Sequence, residues 1–168
     1  MTTSPEIRLL TPADAPAYRD IRLDGLRQNP HAFVATFEHE NTMPLSWFEE
    51  RLTKAEVFGA FVGAELLGVA GYWRQDGAKE SHKAILWGMY VRPKGRNSGL
   101  GKALIEAVVA HASKSVEQLK LVVTGGNETA HRLYKRLGFE EYGRETRALK
   151  YDGRYFDDIL MVRFLTVG

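Results

Sequence analysis

Apolar residues recur along this chain with two different periods, and the change between them divides it into strands and helices. Short apolar or alternating runs predict seven strands, at residues 7–10, 57–62, 66–73, 85–91, 119–123, 148–151 and 156–165. Apolar residues three and four positions apart predict helices at residues 11–28, 46–52, 100–115 and 127–137. Strands interspersed with helices predict a mixed α/β fold, and 168 residues suit a single domain, residues 1–168.

Individual residues predict where several elements begin, end or bend. Thr11, Ser46 and Asn127 each stand at the start of a helical pattern and predict N-caps, because their side chains can accept hydrogen bonds from the first N–H groups. Gly138 predicts a helix stop. Gly88 interrupts the apolar strand 85–91, which predicts a β-bulge or a close approach of a ligand to the backbone.

A glycine-bearing basic loop connects strand 85–91 with helix 100–115. Its letters R-N-S-G-L-G fit R-x-x-G-x-G over residues 96–101, and Lys102 follows directly. Glycines let a pyrophosphate approach the backbone, a helix N-terminus attracts anions, and Arg96 and Lys102 can donate hydrogen bonds to phosphate oxygens. The loop therefore indicates an anion-binding site, although a glycine-rich helix start without a ligand explains the hexapeptide equally well.

Two other phosphate-binding motifs do not fit this loop. A Walker loop requires G-x-x-x-x-G-K-[ST], but Gly95 and Gly101 are one residue too far apart, and Ala103 stands where the Mg²⁺-binding hydroxyl belongs. A Rossmann fingerprint requires a third glycine where Leu104 stands. A nucleotide hydrolase is therefore disfavoured.

A second motif follows the next predicted strand. Residues 127–139, N-E-T-A-H-R-L-Y-K-R-L-G-F, match N-x-x-A-x-x-L-Y-x-x-x-G-F at every specified position. In this order and spacing, the two motifs resemble those of the GNAT superfamily of N-acetyltransferases. The resemblance implies a central mixed, mostly antiparallel, twisted sheet of about six to seven strands, flanked by about four helices.

The resemblance implies an enzyme that transfers the acetyl group of acetyl-CoA, its co-substrate, to a primary amine of a small molecule, amino acid or peptide by direct attack. A catalytically silent acyl-CoA-binding or sensing module is the alternative. Backbone groups of Met89 and Val91 would pair with the pantetheine arm like an added strand, and a backbone N–H near them would steady the thioester oxygen. The residues that the resemblance assigns to the cofactor are Met89, Tyr90, Val91, Arg96, Asn97, Ser98, Gly99, Leu100, Gly101, Lys102, Asn127, Ala130 and Tyr134.

Tyr134 is, by the same resemblance, the general acid that assists departure of the CoA thiolate. An unperturbed tyrosine has a pKa near ~10, so its phenol carries a proton at neutral pH. The residue also shares one helical face with Ala130, Leu133 and Leu137, so burial in the core explains it as well. Capping alone likewise explains Asn127.

No general base can be assigned from the sequence. Many members of the family carry a glutamate on the strand that corresponds to residues 85–91, but Ile85 and Trp87 occupy this neighbourhood here. A proton could leave through water, or through Glu38, Glu80 or His82 if the fold brings one of them near.

Two segments supply candidate acceptor-binding residues. Residues 31–43 have no clean period, and in the family this region overlooks the acceptor, which makes Phe33, Phe37 and Glu38 candidates. The alternative is that the two phenylalanines only anchor the loop to the core and that the glutamate is a solvated charge. The closing hairpin, which turns at residues 152–153, adds Tyr155 and Asp158, with a plain turn and solvated acids as the alternative.

Charge and composition narrow the range of partners. The chain has 23 basic and 21 acidic residues, a net charge of +2 and no basic run, so a nucleic-acid partner is not expected. The absence of cysteine excludes disulfides and thiolate metal sites, and no metal is expected. Without a signal peptide pattern or the ~20 apolar residues of a membrane span, the sequence predicts a cytoplasmic protein with no membrane partner. The resemblance admits a homodimer.

Overall fold

The computed structural model describes residues 3–166. The strands are β1 (Glu6–Leu9), β2 (Glu56–Val62), β3 (Glu65–Arg74), β4 (Lys83–Val91), β5 (Gln118–Thr124), β6 (Glu140–Tyr151) and β7 (Arg154–Phe164). The α-helices are α1 (Ala15–Gln28), α2 (Phe37–Glu40), α3 (Leu45–Lys54), α4 (Leu100–Ala112) and α5 (Glu128–Arg136). Short 3₁₀ turns lie at Pro12–Asp14, Pro30–Ala32 and Pro93–Gly95.

All seven strands form one sheet in the order β1-β2-β3-β4-β5-β7-β6. Neighbouring strands are antiparallel except β4 and β5, which run parallel. One buried cluster, which includes Tyr18 of α1 and Phe48 of α3, lies on one face of the sheet. The other, which includes Leu104 of α4 and Tyr134 of α5, lies on the opposite face. The predicted mixed, mostly antiparallel architecture is confirmed, with α2 as one additional short helix.

The two parallel strands in the middle of the sheet separate soon after they begin. β4 and β5 pair only from Lys83 opposite Gln118 to Ile85 opposite Lys120. Beyond that point β4 continues to pair with β3, and β5 continues to pair with β7 as far as Thr124. The facing edges of β4 and β5 are therefore left without a strand partner, and a wedge-shaped cleft opens between them.

A β-bulge bends β4 inside this cleft. Val69 of β3 is opposite Tyr90 while Gly71 is opposite Trp87, so two residues of β4, Gly88 and Met89, face one residue of β3. Gly88 has a φ of +66°, a left-handed conformation that disfavours any side chain. The bulge predicted from Gly88 is confirmed, and it changes which face of the sheet the following side chains occupy.

Several predicted boundaries need correction. Ser46 is not an N-cap, because α3 begins at Leu45 and Pro44 holds the cap position. Thr11 caps the 3₁₀ turn that precedes α1, and α1 itself begins at Ala15. β6 begins at Glu140 rather than at residue 148, because the edge strand is mostly exposed and polar and carries no apolar signal. The cap at Asn127 is confirmed, since its side chain accepts a hydrogen bond from the Ala130 N–H.

Candidate active site

The open end of the cleft leads to the R-x-x-G-x-G loop. Gly99 occupies the cap position of α4 with a φ of +82°, and no atom lies within 4 Å of the place that its Cβ would take. Gly101 is crowded instead, because a Cβ there would lie 3.1 Å from Met89 Cε and 3.3 Å from Leu133 Cδ2. The two glycines therefore differ: Gly99 leaves open space at the helix N-terminus, and Gly101 lets α4 pack closely against β4 and α5.

The charged side chains of the loop surround this open space. Arg96 Nε donates a hydrogen bond to the Val91 carbonyl at 3.1 Å, and Lys102 is exposed, with Nζ 3.9 Å from Glu106 Oε1. Ser98 donates a hydrogen bond to the Gly95 carbonyl, which ties the loop to the preceding turn. The loop thus combines two cationic side chains with the N–H groups at the start of a long helix, an arrangement suited to phosphate oxygens.

Tyr134 lies on α5 with only 5% of its surface exposed. Its ring packs edge-on against Phe139, with the centroids 5.7 Å apart, and Leu133 beside it contacts the start of α4. Burial raises the pKa of the Tyr134 phenol well above its ordinary value. The side chain is therefore part of the core, and its hydroxyl stays protonated at any working pH.

A buried ion cluster occupies the other face of the sheet beside the bulge. Arg22 of α1 donates two hydrogen bonds of 3.0 Å to the carboxylate of Glu40, and Arg51 of α3 donates a third at 3.2 Å. Burial opposes ionisation of Glu40, but the hydrogen bonds and charges of the two arginines outweigh it and hold the pKa of Glu40 below its ordinary value. Two cations thus share one carboxylate.

Aromatic rings enclose the ion cluster and connect it to β4. The Arg22 guanidinium lies 5.3 Å from the Phe33 ring and 5.6 Å from the Trp87 ring. Arg22 Nη1 is also 3.7 Å from the position that a Cβ on Gly88 would take. The Nε1 atom of Trp87 is buried and has no hydrogen-bond partner among residues 3–166. The cluster therefore borders the bulged strand directly.

A cavity of about 410 Å³ continues outward from this cluster. Arg51 belongs to both, since it lines the cavity and lies 5.2 Å from the Trp87 ring. The cavity contains two indole rings and three cationic side chains, against one carboxylate. Its lining residues are Trp47, Glu50, Arg51, Lys54, Ala55, Trp73 and Arg74.

The loop after α1 crosses the cleft on this same face. Phe33 lies over Arg22 beside β4, and His31 stacks on Phe156 of β7 with the centroids 5.5 Å apart. The loop therefore reaches from one arm of the cleft to the other and covers this face of the cleft. Phe37 is half-buried farther along, with Arg27 5.8 Å above its ring.

The remaining candidates from the sequence lie in different places. Glu38 is exposed on α2, and Tyr155 is exposed near the hairpin turn, where Arg147 and Lys150 lie over its ring. Asp158 is buried on β7. Glu80 and His82 precede β4 at the closed end of the cleft, where Glu80 pairs with Lys83.

Sequence reasoning missed the ion cluster and the tryptophans around it. A signal was present at Arg22, because it falls on the helical face formed by Ile21, Gly25 and Leu26, and an arginine on a buried face requires a carboxylate partner. The sequence does not reveal that the partner is Glu40 rather than Glu38, since the choice depends on how α2 packs against α1.

The described residues were also compared with the requirements of a metal site and of a membrane-spanning helix. Within residues 3–166, no group of three His, Asp or Glu side chains is placed to hold a metal ion. No helix in the described part of the chain is long and apolar enough to cross a membrane.

Comparison with known proteins identifies the class to which this fold and cleft belong. A family model described as the acetyltransferase (GNAT) family matches residues 16–139. The aminoglycoside N(6')-acetyltransferase type 1 of Stenotrophomonas maltophilia is 32% identical over 152 residues, which cover 86% of this chain and 92% of that protein. The L-methionine sulfoximine/L-methionine sulfone acetyltransferase of Pseudomonas aeruginosa is 28% identical over 118 residues, 67% of each chain.

Solved structures show the same fold. A GNAT-family acetyltransferase from Streptococcus pneumoniae superposes with a TM-score of 0.85 at 20% identity, over 96% of this chain and 99% of that one. A phosphinothricin acetyltransferase from Sinorhizobium meliloti, solved in complex with acetyl-CoA, superposes with a TM-score of 0.83 at 22% identity. The match covers 100% of this chain and 91% of that one. The chain belongs to the GNAT acetyltransferase family. The family assignment, the acetyltransferase class and acetyl-CoA as co-substrate, all predicted from the two motifs, are confirmed.

Proposed function

We propose that this protein transfers the acetyl group of acetyl-CoA to the primary amine of a small molecule by direct attack. The observation that carries the proposal is the cleft between β4 and β5, which has an anion-binding loop at its open end and the Gly88 bulge within it. The cleft opens on one face toward α4 and α5 and on the other toward the covered ion cluster. Cofactor and acceptor can therefore approach the bulge from opposite faces, which direct transfer requires.

The cofactor would occupy the α4 side of the cleft. Gly99, Arg96 and Lys102 would bind the pyrophosphate at the helix N-terminus, and Asn97, Ser98, Leu100 and Gly101 would shape the loop around it. Arg96 would exchange the Val91 carbonyl for phosphate, which frees that carbonyl to pair with the pantetheine arm. Backbone groups of Met89 and Tyr90 at the bulge, with Asn127 and Ala130 of α5, would line the rest of the arm.

Two groups would act on the thioester itself. A backbone N–H at the bulge would stabilise the oxyanion that develops on the thioester carbonyl. Tyr134 would donate a hydrogen bond to the departing sulfur. Its raised pKa makes complete proton transfer to the thiolate unfavourable, so its role is to stabilise the sulfur's negative charge as the bond breaks.

The acceptor would carry an anionic group as well as the amine, as an amino acid does. The cavity beside the ion cluster has three cationic side chains and two indole rings, and one of those cations, Arg51, lies 5.2 Å from the ring of Trp87, whose N–H has no hydrogen-bond partner among residues 3–166. Such surroundings favour the binding of a carboxylate, whereas they repel a polycation. The relative named for methionine sulfoximine and methionine sulfone supports this class of acceptor over the class named by the aminoglycoside relative.

A thiol-release assay with a panel of amines tests the proposal. The panel pairs L-methionine sulfone with its carboxamide, and adds a polyamine, a short peptide and an aminoglycoside. We expect release of CoA, with the highest kcat/KM for the carboxylated amine. Tight acetyl-CoA binding without release for any amine would instead identify a silent binding module.

The glycines of the loop allow a direct test of cofactor binding. Gly99→Leu, alone and with Gly101→Leu, should raise the acetyl-CoA Kd by about tenfold or more, equal to ~1.4 kcal/mol, because the side chain fills the space meant for phosphate. Calorimetry measures the Kd, and circular dichroism confirms folding. Gly63→Leu is the matched control, since Gly63 also has a positive φ and nothing within 4 Å, but it lies in the β2–β3 turn. An unchanged Kd in the folded double variant would contradict the assignment.

The three carboxylate and imidazole candidates from the sequence should not be essential. Glu38 is exposed, and Glu80 and His82 lie at the closed end of the cleft, so none is placed to receive the amine's proton. We expect Glu38→Gln, Glu80→Gln and His82→Asn each to keep kcat within about tenfold of wild type, below the ~10²–10⁴-fold effect of a general base. A loss of several orders of magnitude in any one of them, with folding intact, would show that it is the base.

A further inference from the structure

Asp158 is a buried carboxylate that forms no salt bridge with any cation among residues 3–166. Only 7% of the residue is exposed, and its Oδ1 atom has no hydrogen-bond partner among residues 3–166. A buried and unpaired carboxylate costs folding free energy, so such a group calls for a functional explanation.

The register of β7 places this carboxylate on the acceptor face of the sheet. Ile159 and Met161 belong to the core beneath α4 and α5, and side chains alternate along a strand, so Asp158 faces the opposite side. Asp158 is opposite Thr124, the last residue of β5, where the cleft is widest. Its carboxylate therefore borders the β5 arm at the open end of the cleft.

The covering loop contacts β7 two residues before Asp158, on the same face of the strand. Phe156, two residues earlier on the same face of β7, stacks against His31, and Phe33 on the same loop lies over Arg22 beside the bulge. Asp158 on the β7 arm and Arg22 on the β4 arm thus border the same covered space from its two sides.

The charges around Asp158 are also negative. Burial raises the pKa of Asp158; the Thr124 hydroxyl of β5 opposes the rise, and the charges of Glu145 on β6 and Asp157 on β7 add to it. These two acids, and the lack of a salt bridge from Asp158 to a cation within residues 3–166, leave the site electrostatically suited to a positively charged group from outside.

We propose that Asp158 binds the ammonium group of the acceptor and takes its proton, which makes Asp158 the general base of the reaction. This inference rests on the proposed function. Other acids near the cleft are already engaged, since Glu40 is held by two arginines, and Asp24 accepts hydrogen bonds from Tyr90 and Arg92. Among residues 3–166, Asp158 is a buried acid on this face that no cation engages.

The proton and bond changes balance as follows. The ammonium gives one proton to the Asp158 carboxylate, and the neutral amine attacks the thioester carbon to form a C–N bond and a tetrahedral oxyanion. The carbonyl re-forms as the C–S bond breaks, and the second proton of the nitrogen passes to the departing sulfur, which Tyr134 hydrogen-bonds, so that the products are the amide and the CoA thiol. One proton reaches the solvent from Asp158 for each ammonium consumed.

Asp158→Asn is the test, and Asp157→Asn is its matched control, because Asp157 is the adjacent acid on the other face of β7. On the best ammonium acceptor, Asp158→Asn should lower kcat/KM by about 10²–10⁴-fold, while the acetyl-CoA Kd stays unchanged. The loss should shrink for an amine that is already neutral at the assay pH, such as a hydrazide, because no proton need leave before attack. Asp157→Asn removes only a neighbouring charge and leaves the Asp158 carboxylate in place, so it should change kcat/KM by less than about tenfold, far below the loss in Asp158→Asn.

Two further readouts separate catalysis from a structural role. Wild-type kcat/KM should rise with pH as Asp158 ionises, at a pH above the ordinary ~3.9 of an aspartate, and Asp158→Asn should lack this rise. The variant should also melt at the same or a higher temperature, since it removes a buried unpaired charge.

The outcomes distinguish this inference from the proposed function. Wild-type turnover with an equally active Asp158→Asn variant would overturn the inference and leave the acetyltransferase activity intact. The same loss of rate on ammonium and neutral amines would overturn it as well. No thiol release by the wild type with any amine would overturn both.

Discussion

The Tyr134→Phe variant should lower kcat and kcat/KM together by about 10²–10⁴-fold, while the acetyl-CoA Kd barely changes. The phenol would donate its hydrogen bond to sulfur only as the C–S bond breaks, so its loss affects the transition state and not the binding of the cofactor. The ring keeps its packing against Phe139, which preserves the cofactor side of the cleft. Steady-state kinetics on the best acceptor and calorimetry with acetyl-CoA measure the two quantities.

Tyr72→Phe is the matched control for this variant. Tyr72 is also a buried tyrosine, and burial together with the charge of Glu56 raises its pKa to about 12, but its hydroxyl is hydrogen-bonded to His111 Nδ1 at 2.5 Å, away from the cleft. Its loss should cost about 1 kcal/mol of stability and leave kcat unchanged. If Tyr134→Phe behaves in the same way, with near-wild-type kcat and a small loss of stability, Tyr134 is a core residue and not an acid.

The Glu40→Ala variant should lose about 3–5 kcal/mol of unfolding free energy. Its carboxylate is the shared partner of Arg22 and Arg51, and its removal leaves the Arg22 guanidinium buried without a counter-charge. Urea denaturation, followed by circular dichroism, measures the change. Glu38→Ala on the same short helix is the control, and it should change stability by less than about 0.5 kcal/mol because Glu38 is exposed.

The pH dependence of Glu40→Gln tests the same cluster independently. The pKa of Glu40 is lowered in the folded protein, so the stability that its ionisation supplies is present above the ordinary value of 4.5 and is lost as pH falls through the lowered value. The wild type should therefore exceed Glu40→Gln in unfolding free energy most clearly at neutral pH, and the difference should shrink in acid. A difference that is constant from pH 7 to pH 3 would contradict the charged cluster.

The ion cluster and Asp158 give the acceptor space opposite charges at its two sides. Arg22 and Arg51 have one carboxylate between them beside β4, whereas Asp158 on β7 forms no salt bridge with a cation among residues 3–166. An acceptor with an amine and a carboxylate would match both, with its amine directed toward the carboxylate that can take the proton. Under the proposal that Asp158 takes the amine's proton, the reaction needs no glutamate on β4.

Local signals in the sequence were sufficient to predict the structure of the glycine loop and of the helix ends near it. The R-x-x-G-x-G loop, the Asn127 cap and the Gly138 stop all depend on contacts within a few residues, and each element formed where its pattern predicted. Gly88 revealed the bulge for the same reason, since a left-handed φ is a property of one residue. These features led to the family without any knowledge of how distant segments pack.

Tertiary packing alone decided the acceptor side. The cleft exists because β4 and β5 stop pairing after Ile85. No local pattern in either strand predicts this separation. Glu38 and Glu40 are similar in sequence context, yet only Glu40 accepts hydrogen bonds from Arg22 and Arg51. These arginines belong to α1 and α3, so the packing of those helices against α2 decides which glutamate they reach. Asp158 looks like a solvated hairpin acid in the sequence, and it becomes a buried one because its burial depends on β5, β6 and the loop after α1, whose contacts are long-range and leave no periodic trace in the chain.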